Sequence, residues 1–407
     1  MIVGVVLEDF SAHEGGGYTI QGDIFHWLSE LAGESSHSFV LFCNRPDEVR
    51  AQLKSEHISV VAFPGNFADR VVSVARRKRT AFQRGQRQET RFEEIARQAG
   101  VEFVWFVSAQ ALQVDLPYLA IVWDLQHRLQ PWFPEVSANG VWDHREAFYS
   151  RFLRRAAFVI AGTEAGSKEI QTFYQVPSDR IRLLPHPTPT FAFADTKDAK
   201  ASNKKFLEDA GLANDYLFYP AQFWSHKNHA NLLLALKHLK DQHQLDLSLA
   251  LVGSDKGNQE YIKELTQELG LSSQVRFLGF VSEANLISLY QNALALTYIS
   301  FFGPENLPPL EAFALGCPVV AADVAGALEQ LGDAALLVDP RKPEEIAAAI
   351  KKIHRDTTIR SQLIERGRRR ALKWTGKEFT KGVFAMLDEF ESVRRCWPRG
   401  AHSQLDS

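Results

Sequence analysis

The first half of the chain alternates short apolar runs with stretches whose apolar residues recur every three or four positions. "IVGVVL" (2–7), "SFVLFC" (38–43), "ISVVAF" (58–63), "EFVWFV" (102–107), "YLAIVW" (118–123), "AAFVIAG" (156–162) and "RIRLLP" (180–185) have the length and aliphatic or aromatic content of buried strands. Between them, "IQGDIFHWLSELA" (20–32) sets Ile20, Ile24, Trp27, Leu28 and Leu31 on one helical face, and further helical stretches fall near 66–98, 142–155 and 164–174. Apolar strands separated by helices predict a parallel sheet covered on both faces, because each crossover helix must pack on the sheet it leaves.

The alternation pauses in "HPTPTFAFADTKDAKASNKK" (186–205), whose Pro, Thr, Ser, Lys and Asp content reads as a linker. It resumes with strands "YLFYP" (216–220), "LSLALVG" (247–253), "VRFLGF" (275–280), "ALALTYI" (293–299), "PVVAA" (318–322) and "AALLVDP" (334–340), again interleaved with helices. The fold class expected is α/β, with Rossmann-like domains over 1–190 and 206–373. In open parallel sheets ligands gather beyond the carboxyl ends of the strands. Two such sheets facing each other would share one cleft, lined by the loops that follow strands.

Composition narrows the classes. A chain of 407 residues is long for one core, and 45% apolar with 23% charged residues is ordinary for a soluble protein. A net charge of −3 speaks against nucleic acid as the main partner. The three cysteines, Cys43, Cys317 and Cys396, lack metal-ligand spacing and read as reduced thiols of a cytosolic protein. "MIVGVVLEDF" reads as a first strand and not as a signal peptide, and no apolar run nears the roughly 20 residues of a membrane span. The block "ARRKRTAFQRGQR" (75–87) is basic with apolar neighbours. It is expected either to rest on an anionic lipid surface or anionic acceptor, or to be a solvated helix face.

Four loops carry candidate chemistry. Gly15, Gly16 and Gly17 follow the first strand and let backbone amides approach a phosphate or sugar, although the spacing is not the dinucleotide G-x-G-x-x-G. Asp124 and His127 lie just past a strand end, where His127 is either a proton carrier or a satisfied loop histidine. Lys227, flanked by His226 and His229, stands at a helix start, where the dipole disfavours a cation unless a polyanion faces it. "FFGPENLPPLEAFALGCPVV" (301–320) has Pro308 and Pro309 suited to a first helical turn, Glu311 expected in that turn, and Gly316 and Pro318 as the stop. The amides of Glu305, Asn306 and Leu307 would point out of the helix start as an anion site.

In order and spacing, "YPAQFWSHKNHANLLLAL", "LALVGSDKG", "VRFLGFVSEANLISLYQNA", "FGPENLPPLEAFALGCPVVAA" and "LEQLGDAALLVDP" resemble the retaining glycosyltransferases of family 4, with the GT-B fold. The resemblance spans nearly the whole chain and is densest over 216–340. It implies a C-terminal domain that grips a nucleotide sugar. Glu311 then matches the ribose-binding second glutamate of an E-x7-E motif, and Lys227 the cation facing the diphosphate. The amides of Glu305, Asn306 and Leu307 match those on sugar and phosphates. Phe280 and Val281 match the base-reading segment, Gly253 ends a donor-side strand, and Gly15 to Gly17 match the loop near the diphosphate. His127 lies in the segment that supplies a histidine near the donor sugar, and "WTGKEFTKGVFAMLDEF" (374–390) matches a helix, about 375–398, returning to the N-terminal domain. The chain departs from the pattern where Gly303 stands for the first glutamate and Gln222 for an arginine. The catalytic candidates are therefore His127, Lys227 and Glu305.

The resemblance implies sugar transfer from a nucleotide diphosphate donor to a hydroxyl of a glycan or lipid-linked acceptor, with retention. It implies no cofactor and no metal, the leaving diphosphate being met by Lys227 and helix amides. The alternatives are another GT-B enzyme, such as a nucleotide-sugar 2-epimerase or a phosphorylase, or a degenerate sugar-nucleotide-binding subunit. The expected location is cytoplasmic, with peripheral contact at a membrane surface through 75–87.

Overall fold

A computed structural model of the protein describes residues 1–9, 15–63, 90–109, 112, 114–194, 200–213 and 215–398. The basic block 75–87 lies outside the described residues, and of the helix expected over 66–98 the described part is Arg91–Gln98. Two parallel sheets organise the chain. The first has seven strands, β1 (Ile2–Val6), β2 (Ser38–Cys43), β3 (Ile58–Ala62), β4 (Phe103–Phe106), β5 (Tyr118–Val122), β6 (Phe158–Ala161) and β7 (Ile181–Leu183), in the order β3-β2-β1-β4-β5-β6-β7. The second has six, β8 (Tyr216–Pro220), β9 (Ser248–Val252), β10 (Val275–Gly279), β11 (Ala295–Tyr298), β12 (Val319–Ala322) and β13 (Ala335–Val338), in the order β10-β9-β8-β11-β12-β13. Every residue of β4, β5, β6, β11 and β12 is buried, as the unbroken apolar runs require when helices cover both faces.

The turn from one sheet to the other is shorter than the composition of 186–205 predicts. A single turn, Thr190–Phe193, follows β7, and the helix Lys200–Asp209 starts inside the stretch read as linker. After the second sheet the chain crosses back. Thr188 N–H donates to the Trp374 carbonyl at 3.1 Å, and Thr375 caps the helix Gly376–Arg394 through a capping box with Glu378. Phe379, Val383, Phe384, Met386 and Leu387 of that helix join Val3, Ile20, Ile24, Leu28 and Phe39 in one core cluster of the first unit.

Both sheets present their strand carboxyl ends to one another. A Cβ built on Gly15 would lie 3.8 Å from Gln222 Nε2, and one on Gly16 would lie 3.4 Å from Leu307 Cδ1. A Cβ at Gly162, just after β6, would run into the Glu305 carboxylate. The loops after β1 and β6 therefore meet those after β8 and β11 across a cleft, as the strand-end argument predicts.

Candidate active site

The helix Leu307–Leu315 forms the floor. Its apolar run is closed by Gly316 in the left-handed region, where Cys317 N–H bonds Ala312 O at 2.8 Å. Asn306 is the N-cap, so Glu311 is the fifth helical residue and lies beyond the first turn expected for it. The helix dipole contributes correspondingly less at that depth. Glu311 is buried, and Tyr290 Oη donates to its Oε2 at 2.5 Å. Burial pushes its carboxyl up to about 7, against the opposing Tyr290 hydrogen bond, with the nearby Asp23 adding to the rise. Asp23, from the first helix of the other unit, is itself raised to about 6 by burial while accepting from Thr190 N–H at 3.0 Å.

The amides expected at this helix start are not all open. Asn306 N–H donates to Gln330 Oε1 at 3.0 Å, and Gln330 Nε2 returns a bond to Asn306 O at 3.0 Å. Gly303 has φ +139°, and a Cβ there would strike the Asn306 side-chain amide, whose Nδ2 donates to Gly303 O at 3.0 Å. The loop thus takes a path closed to a glutamate at 303. Glu305, two residues on, turns toward the other unit. Its carboxylate lies against Gly162, accepts from His186 N–H at 2.7 Å and pairs with His186 Nδ1 at 3.3 Å. Its carboxyl is raised by burial, with the His186 pairing opposing.

Lys227 precedes the helix His229–His243 in a short turn, Ser225–Lys227, and Asn228 at φ 60° makes the bend between them. Its Nζ donates to Tyr298 Oη at 3.0 Å and stands 5.3 Å from that ring's centre, while Tyr219 Oη donates to the Lys227 carbonyl. Gln222 is tied to its own loop: Nε2 donates to Ser254 Oγ at 3.2 Å, and Oε1 accepts from Trp224 Nε1 at 3.1 Å. Gly253, at φ +152°, lets the end of β9 close on the Ala221 carbonyl, where no Cβ fits. Phe280 is 54% exposed past β10, and Val281 packs on the core of the second unit. Gly15 thus faces Gln222 and Gly16 faces Leu307 across the cleft, with Gly17 one residue into the helix Gly16–Leu31, while Lys227 follows β8 and Glu311 lies in the helix after β11.

His127 is placed elsewhere. It is fully buried in the first unit, where Nε2 shares a hydrogen with Tyr174 Oη at 2.8 Å and the ring stacks on Tyr149. Burial and the neighbouring Arg145 push it down to about 4, so the ring is neutral near pH 7. A strand-end loop offers both a solvent face and a core face, and the His127 ring takes the core face, packed on Tyr174 and Tyr149. Asp124, three residues earlier, keeps a 35% exposed side chain held by Arg145 at 2.6 Å. Burial opposes its ionised form, but Arg145 and the Gln126 amide outweigh this and hold it below the ordinary carboxylate range.

The structure adds residues the sequence did not single out: Tyr290, Tyr298, Gln330, Glu135 and Glu329. Glu329 Oε2 accepts from Glu164 N–H at 2.6 Å and its Oε1 from Ala165 N–H at 3.1 Å, across the cleft. In sequence a glutamate at the head of a helix is already explained by the dipole, so neither Glu135 nor Glu329 signals a second role. Among the described residues, His37, Asp388 and Glu391 form a group with metal-ligand proximity. It lies by the start of β2, at the strand ends opposite the cleft. Among the described residues no helix is long and apolar enough to cross a membrane.

Residues 202–370 match the family model described as Glycosyl transferases group 1. Similar curated proteins include the O-antigen chain mannosyltransferase B of Escherichia coli, 28% identical over 56% of this chain and 59% of that protein. Another is the D-inositol 3-phosphate glycosyltransferase of Corynebacterium jeikeium, 24% identical over 61% of each. The matches thus span about three-fifths of these relatives. Among solved structures, HepE of Anabaena in complex with UDP and glucose superposes with a TM-score of 0.68 at 19% identity, over 96% of this chain and 100% of that one. WaaG, a glycosyltransferase of lipopolysaccharide biosynthesis, gives 0.66 at 15%, over 95% and 99%. The fold is GT-B, two Rossmann-like units of parallel sheet across a cleft.

Proposed function

We propose that this chain is a group 1 glycosyltransferase that moves a sugar from a nucleoside diphosphate sugar to an acceptor hydroxyl, with retention at the anomeric carbon. The observation that carries the reading is the meeting of the Gly15–Gly16 loop with Gln222 and Leu307 across the cleft, at the start of the helix that carries buried Glu311. In this reading Glu311 takes the ribose hydroxyls. Its raised carboxyl is suited to hydrogen bonding with neutral hydroxyls, which do not demand a full charge.

As the bond from sugar to phosphate breaks, charge grows on the diphosphate. In this mechanism Lys227 and the amides beside Gly15 and Gly16 meet that charge, a role that can be filled without a metal. The acceptor attacks from the face the diphosphate leaves, and a phosphate oxygen takes its proton. Closing the cleft excludes water that would otherwise hydrolyse the donor. The relatives that act in glycan assembly point to a glycan or lipid-linked acceptor, taken up on the first unit. The location is proposed as cytoplasmic, at a membrane surface where the acceptor is lipid-linked.

The test is release of nucleoside diphosphate from a panel of nucleotide sugars, with product configuration read by NMR. Lys227→Ala is expected to lower turnover about 100-fold or more at unchanged melting temperature, the range for removing one preorganised charge-stabilising group. EDTA is expected to leave turnover unchanged. An inverted product, or full activity in the Lys227 variant, overturns the mechanism.

A further inference from the structure

The turn that carries Lys227 is held from two sides, and one of them is the other domain. Within its own unit, Tyr298 and Tyr219 fix the Lys227 ammonium and carbonyl. On the outer side, Glu135 of the first unit reaches across the cleft. Its Oε1 accepts from the His226 backbone N–H at 3.1 Å and also pairs with His226 Nδ1. Both side chains are nearly closed to solvent, at 7% and 12% exposed. The same N-terminal segment grips the far side of the turn. Gln130 Nε2 donates to the Phe301 carbonyl at 3.0 Å, and Phe301 N–H donates to the His226 carbonyl at 2.8 Å. Phe133 packs against both the His226 and Phe301 rings.

From this geometry we propose that Glu135 is a positioning residue for the diphosphate cation, so that Lys227 is fully aligned when the two domains are closed. The inference rests on the proposed donor chemistry. A carboxylate anchored to a backbone N–H fixes the main chain itself, and the residue next along that main chain is Lys227. His226 faces Glu135, Lys227 and Asp124, and burial lowers its imidazole below the ordinary range. Burial opposes the ionised form of Glu135, yet the hydrogen bonds from His226 hold its carboxyl below the ordinary range. The pair is therefore a carboxylate receiving two N–H groups, with a neutral ring. An open cleft would separate Glu135 from His226 and leave the turn held only by its own unit. The donor would then be bound through base and ribose without its diphosphate being clamped, which limits donor hydrolysis before an acceptor arrives.

The test compares binding of UDP with UMP, and of GDP with GMP and ADP with AMP, by calorimetry. Lys227→Ala and Glu135→Ala are each expected to erase most of the preference for diphosphate over monophosphate, about tenfold, and the double variant to lose no more than either single one. Glu135→Gln retains part of the preference, because its amide oxygen still accepts from the His226 N–H. Glu135→Asp keeps the charge but withdraws it by one methylene, and it serves if the alanine variant melts early; it too is expected to lose the preference. A preference intact in Glu135→Ala or Glu135→Asp but lost in Lys227→Ala overturns this inference alone. Additive losses overturn it as well. A wild-type protein that binds none of the three diphosphates overturns it together with the proposed function.

Discussion

Glu311 is a carboxyl kept in a place that costs stability. Its pKa is raised to about 7 in the folded chain by burial, from an ordinary value of 4.5. The stabilising contribution of a group with a raised folded pKa is complete below the unfolded value and is lost as pH rises through the folded one. Glu311→Gln removes that loss while leaving an oxygen for the Tyr290 hydroxyl. Its unfolding free energy is expected to exceed wild type at pH 8 by up to roughly 3 kcal/mol and to match it near pH 4.5, in denaturant melts at both pH values. Nucleotide affinity should fall in the same variant if the ribose reading holds. Gain of stability with loss of binding is the signature of a residue retained for its chemistry.

At the level of elements, the sheets and their crossovers were legible because each strand is a closed apolar run and each helix a periodic one. The loop path was not. Glu305 stands two residues from Gly303 and was a natural substitute for the missing carboxylate, yet the φ of +139° at Gly303 and the Asn306 bonds turn the chain so that Glu305 reaches His186. The burial of His127 was not legible for a related reason: strand-end position predicts the loop but not which face a side chain takes. Lys227 could be singled out because a cation at a helix head is unfavourable and so calls for an explanation. Glu135 and Glu329 were not, since carboxylates at helix heads already have one. Gly303→Ala is expected to destabilise by about 1–3 kcal/mol, the range for a residue forced into a glycine-only conformation, measured by urea unfolding. Restoring the family pattern with Gly303→Glu should destabilise comparably and should not raise activity.

For the whole molecule, the domains are tied by carboxylates that each end on main-chain amides: Glu305 on His186, Glu329 on Glu164 and Ala165, and Glu135 on His226. Two run from the second unit to the first and one runs back. Backbone receptors make the closed register insensitive to which side chains surround it. Removing Glu305 and Glu329 together should favour the open form. The double alanine variant is expected to show a larger radius of gyration by small-angle X-ray scattering, with the far-ultraviolet spectrum unchanged. Identical scattering profiles would show that these two contacts do not set the closed population.

The chain passes between the units twice, once after β7 and once before Gly376, and the two passages are pinned side by side. Thr188 N–H bonds the Trp374 carbonyl, and Thr188 Oγ1 donates to the Ala371 carbonyl at 3.0 Å. One connecting strand would leave a swivel, free to twist as well as bend. Two strands fastened together define an axle, so the second unit swings about one line and returns to the same seat. A single rotation about that line would then make or break all three carboxylate contacts together.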